Sequence, residues 1–132
     1  MGIPWVEIFA VFVVSHLTGD FLLQTEFQAT HKHGGVGRDP VRRRALLMHT
    51  VTYTASFVPA LVWLAGDVAS WAVALIPLAV ALPHGIQDDG RPVRWWMRRV
   101  KHTEIGPGVL AMLVDQSFHL VALLVLAIIV GV

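Results

Sequence analysis

Four stretches of the chain are almost uninterrupted in apolar residues, at approximately 5–27, 45–65, 68–87 and 109–130. A helix needs roughly 20 residues to cross a ~30 Å hydrocarbon layer, and each run has about that length. The pattern predicts an all-α integral membrane four-helix bundle, with residues 1–132 forming one transmembrane domain. Pro59, Pro77 and Pro83 fall inside the second and third runs and predict kinks, which membrane helices tolerate better than soluble ones. Over 91–102 the pattern changes: Val93, Trp96 and Val100 recur on one side among arginines, as in a short amphipathic interfacial helix between helices three and four. Gly34-Gly35-Val-Gly37 and Asp39-Pro40 predict an irregular connection over 30–41.

Composition agrees with the pattern. Hydrophobic residues make up 55% of the chain, and only 14% are charged against the usual ~25%; the mean hydropathy is +0.64. With no cysteine, disulfides and thiolate metal ligands are excluded. The first run lacks a basic leader and an A-x-A cleavage site, so it reads as a retained helix. All 10 Lys and Arg lie in two places, Lys32–Arg44 and Arg91–Lys101. The positive-inside rule then puts both long loops in the cytoplasm and both termini outside, in a multi-pass arrangement. Trp5, Trp63 and Trp71 then mark the outer interface, and Trp95 and Trp96 the inner one. Arg91, Arg94, Arg98 and Arg99 are placed to meet anionic lipid headgroups. No nucleic-acid partner is expected.

Against this apolar background the ionisable residues are conspicuous. His16-Leu-Thr-Gly-Asp20 interrupts the first run, His84 and Asp88 close the third, and Asp115 and His119 sit in the fourth, each pair at a helical spacing of four that shares one face. His49 begins the second. On the predicted topology all seven lie in the cytoplasmic half of the bilayer, where a central Asp costs roughly 3 kcal/mol. Convergence on one buried cluster is the simplest compensation. Imidazole and carboxylate together suit a divalent metal ion: zinc foremost, with manganese or iron as alternatives, and seven groups suffice for one or two ions. The candidate ligands are His16, Asp20, His49, His84, Asp88, Asp115 and His119, with His49 a ligand or a general base, and Gln24 and Gln116 supporting them by hydrogen bonds. A metal-free polar network or proton relay, and interhelical bonds that only specify packing, are the competing readings.

Other polar residues carry less. His31-Lys-His33 has a metal-compatible spacing but lies on a glycine-rich loop and reads as solvated; Glu26 and Glu104 read as interfacial charges. His102 is undecided, and Glu7 lies at the outer end, apart from the cluster. Asp88-Asp89-Gly90-Arg91 has only a chance likeness to the CDP-alcohol phosphotransferase signature, whose downstream aspartates are missing.

Taken together, His16-x-x-x-Asp20-Phe-x-Leu-Gln24, His49, His84-x-x-x-Asp88 and Asp115-Gln116-x-x-His119 resemble a family of small bacterial membrane proteins, domain of unknown function 3307. The resemblance spans nearly the whole chain and implies a bacterial inner-membrane protein of four helices, with no activity attached. The glycine-rich first loop and the Asp-Asp-Gly after His84 depart from the family pattern. The residues themselves suggest a metal-dependent hydrolase of a lipid-linked or phosphorylated substrate. A small metal-ion or proton transporter, which would call for a homo-oligomer, and a non-catalytic assembly or structural subunit are the alternatives.

Overall fold

The computed structural model describes residues 2–104 and 108–131, all helix and connection with no strand among them. The elements in order are α1 (Trp5–Leu17), a π-helical turn (Thr18–Leu22), α2 (Glu26–His31), α3 (Pro40–Ala55), α4 (Val58–Leu64), α5 (Ser70–Asp88), α6 (Arg91–Arg99) and α7 (Val109–Val130). Four stretches are long and apolar enough to cross a membrane: Trp5–Leu22, Pro40–Leu64, Ser70–Asp88 and Val109–Val130. They close into a ring: α1 packs on α7, α7 on α5, α5 on α3, and the π-turn and α4 return the ring to α1. Only 22% of the most apolar part of α7 is buried within the protein, so most of its apolar side chains face outward, as they do in a lipid-facing helix.

Several boundaries differ from the sequence expectation for physical reasons. The first span ends at Leu22, not near 27, because the helix widens into the π-turn, where the Leu23 N–H bonds to the Thr18 carbonyl five residues back. Residues Glu26–His31 form a separate short helix, capped by a reciprocal Thr25–Gln28 pair. The second span begins at Pro40, five residues early. There Asp39 caps α3 by accepting from Val41 and Arg42 N–H, and Pro40 takes the first helical position. Those bonds, Arg42's foremost, hold the Asp39 carboxyl below its usual range. Pro59 breaks this span: α3 stops at Ala55, the residue whose carbonyl a proline at 59 leaves unbonded. By contrast α5 runs unbroken past Pro77 and Pro83.

Along its axis the bundle is layered. Ile8, Phe12, Phe57, Leu64, Ile76 and Leu123 form a dry core at the end where α1 starts and α7 finishes. Polar residues follow, and α6 closes the other end. It packs Val93 and Met97 against Val114 of α7, with Trp96 edge-on to Phe118. The expected apolar side of Val93, Trp96 and Val100 is therefore corrected: the helix stops at Arg99, Val100 is exposed, and Met97 takes its place.

Candidate metal centre

The polar layer begins where the π-turn meets α3. A side chain on Gly19 would come within 2.8 Å of the Tyr53 ring and 3.1 Å of its Cα, so glycine permits this close approach. The contact presses Asp20 into the bundle opposite His49, which lies about two and a half turns into α3.

Four ligand atoms converge there. His49 Nε2 lies 3.1 Å from Asp20 Oδ1 and 2.8 Å from Asp88 Oδ2. His84 Nε2 lies 3.0 Å from His49 Nε2, 3.1 Å from Asp88 Oδ2 and 3.6 Å from Asp20 Oδ1. Metal–ligand distances of about 2.0–2.1 Å give a tetrahedron with edges of roughly 3.3 Å, and these separations bracket that value. The four residues are buried and can hold a metal ion; Asp88, Asp115 and His119 form a second such group.

Hydrogen bonding around His119 strengthens the case. Its Nδ1 is 2.9 Å from the Asp115 carbonyl, which can only accept, so the proton sits on Nδ1. In the neutral ring Nε2 is then a bare lone pair, 3.3 Å from Asp88 Oδ1, and neither atom has a hydrogen-bond partner among the described residues. Two such atoms facing each other in a buried site are satisfied either by a proton on Nε2, as an imidazolium–carboxylate pair, or by a metal ion between them, and an imidazole tethered through Nδ1 to a carbonyl is a familiar ligand arrangement. Asp88 thus turns one oxygen to each group. Against this, Nδ1 of His49 and of His84 have no partner among the described residues, so neither ring is tethered as His119 is.

His16 is brought to the cluster but held differently from the expected ligand role. Carboxylates only accept, so the Gln116 amide faces its NH2 to Asp20 Oδ2 and Asp115 Oδ2, each 3.4 Å away, and its carbonyl to His16 Nε2 at 2.9 Å. His16 therefore donates from Nε2 and accepts the Tyr53 hydroxyl proton at Nδ1, 3.0 Å away. Both nitrogens are engaged, and the ring belongs to neither ligand group. Gln24 is also corrected. The π-turn changes the helical phase after Asp20, and the buried Gln24 Oε1 bonds to nothing among the described residues.

Two residues escaped the sequence reading. Lys32, taken as a loop charge, is 8% exposed and reaches back into the site, with Nζ 2.8 Å from Asp88 Oδ2 and 3.3 Å from His49 Nε2. Its loop hangs on the end of α5: Gly34 N–H bonds to the Asp89 carbonyl, Val36 N–H to the buried Asp89 carboxylate, and His33 Nδ1–H to the Asp88 carbonyl. Tyr53 stacks flat on His84 with ring centres 3.4 Å apart. A polar tip at the end of an apolar stripe on α3 signals Tyr53 in hindsight; nothing in the local sequence signals Lys32. His31 is exposed and stacks on Phe27, while Glu7, Glu26, His102 and Glu104 are exposed and apart from the cluster.

A cavity of about 520 Å³ borders the centre; Asp20, Gln24, Lys32, Asp115 and Gln116 are among its wall residues. His49 and His84 have no face on it. No curated protein and no solved structure matches the chain. The chain does match a family profile over residues 8–132, nearly its whole length, and it belongs to that family, described as protein of unknown function (DUF3307).

Proposed function

We propose that the protein is a metal-binding protein of the bacterial inner membrane and a metal-dependent hydrolase of a lipid-linked or phosphorylated substrate. The observation that supports the metal is the convergence of possible ligand atoms: His119 Nε2 with Asp88 Oδ1 on one side, and His49 and His84 Nε2 with Asp20 and Asp88 on the other. Zinc fits two imidazoles and two carboxylates best, with manganese or iron as alternatives. A second ion would be held by Asp88, Asp115 and His119. A bound divalent ion would supply a water acidic enough to ionise near neutral pH and would stabilise negative charge on the substrate.

The chain's own residues divide the remaining work. His49 is fully buried with no face on the cavity, which supports a ligand role over a general base. Asp115 does face the cavity, with its side chain 21% exposed, and is the carboxylate placed to take a proton from water. Tyr53, His16 and Gln116 form a relay of hydrogen bonds that fixes Asp20. The basic loops face the cytoplasm, both termini face outward, and Arg98 and Arg99 contact anionic headgroups. Transport is less favoured, because Ile8, Phe12, Phe57 and Ile76 close the bundle beyond the cluster.

Elemental analysis of protein purified without added metal tests this reading. Near-stoichiometric metal, lost on His84→Ala and retained on His102→Ala, is the expected result. A content below about 0.2 per chain, unchanged by His84→Ala, refutes a metal centre.

A further inference from the structure

The cavity beside the centre contains a basic residue whose charge is unpaired among the described residues. Among the described residues Lys32 is bonded to Asp88, Arg91 to Asp89, Arg42 to Asp39 and Arg43 to the Gly37 carbonyl. Arg94 is half-buried in the cavity wall, and its guanidinium makes no ion pair or hydrogen bond among them. Its position depends on Gly90, whose φ of +79° is the left-handed conformation that glycine adopts freely. A Cβ there would meet Arg94 Nη1 and His33 Nδ1, each at 3.0 Å. A guanidinium held half out of water without a counter-charge is a receptor for a planar or tetrahedral oxyanion.

The rest of the wall limits what carries that anion. Phe21 and Met112 are 56% and 49% exposed and also line the cavity, so it reaches the apolar outer surface between the π-turn and α7. Val93 and Ala111 continue the apolar lining, whereas Asp20 and Asp115 join it to the metal centre.

We infer that this cavity binds a single-chain phosphate amphiphile, its phosphate on Arg94 and its chain passing out between Phe21 and Met112. The inference rests on the hydrolase reading in taking the cavity as the substrate's room, but binding is measurable without turnover. The chemistry recognised is a phosphate; the apolar exit favours one borne on a lipid chain over a free one.

The test uses the full chain in phosphatidylcholine nanodiscs, with saturable binding of dodecyl phosphate, inorganic phosphate and dodecanol measured with and without chelator. Dodecyl phosphate should bind, weaken about tenfold or more in Arg94→Gln, and recover in part in Arg94→Lys, as loss of a charge-assisted bidentate contact predicts. Arg44→Gln, an exposed arginine outside the cavity, should bind as wild type does. Equal weakening by Arg44→Gln, or none by Arg94→Gln, overturns the site. Inorganic phosphate binding as tightly as dodecyl phosphate overturns the amphiphile, and dodecanol binding as tightly overturns the anion. Metal content measured on the same samples separates the two readings: metal present without dodecyl phosphate binding removes only this inference, and the reverse removes only the metal centre.

Discussion

Lys32→Met gives the sharpest test of how the centre is balanced. The Lys32 ammonium sits 2.8 Å from Asp88 Oδ2 and 3.3 Å from His49 Nε2, two of the four converging ligand atoms. A divalent ion there would share those ligands with a resident cation. Two unit charges about 4 Å apart repel by about 4 kcal/mol at an effective dielectric near 20, and a divalent ion feels about twice that. Lys32 can avoid the repulsion by swinging out, which breaks a buried ion pair at a cost of roughly 3 kcal/mol. The smaller cost sets the observed penalty, so removing the ammonium should tighten metal binding on the order of 100-fold. The metal-free variant should meanwhile be less stable than wild type by roughly 3 kcal/mol, because Asp88 stays buried without its cation. Competition titration against a chelator of known affinity, with thermal melts of the metal-free forms, reads both effects. Unchanged or weaker metal binding by Lys32→Met would refute the view that the two cations compete.

Other substitutions probe the surrounding layers. Asp88→Asn should abolish metal binding and lower metal-free stability by roughly 3–5 kcal/mol, more than Asp20→Asn, because Asp88 lies within 3.3 Å of Lys32, His49, His84 and His119; melting curves of the two variants give the order. Tyr53→Phe keeps the stack on His84 but removes the hydroxyl bonded to His16. It should cost about 1–3 kcal/mol while metal content, measured by elemental analysis, stays at the wild-type value. Gly90→Ala should cost roughly 1–2 kcal/mol for a left-handed alanine, and lower dodecyl phosphate binding by displacing Arg94. A melt and binding measured on one preparation check both effects.

The sequence by itself determined the scaffold, because helices long and apolar enough to cross a bilayer can be counted along the chain. The fourth span, Val109–Val130, falls where hydropathy puts it, and the third differs only at its ends. A spacing of four likewise sufficed to pair His84 with Asp88 and His119 with Asp115, since helix geometry is local. The tertiary structure decided the rest. The entry of Lys32 depends on contacts with Asp88 and Asp89, more than fifty residues away, and a glycine-rich loop carries no local preference that specifies them. The π-turn that removes Gln24 from the stripe arises where Gly19 meets Tyr53 of another helix. His16 shows the limit most clearly. Its spacing to Asp20 suits a ligand, but Tyr53 and Gln116, brought from two other helices, occupy both its nitrogens. Which lone pairs remain for a metal is settled by hydrogen bonds between helices, and those form only once the bundle has closed.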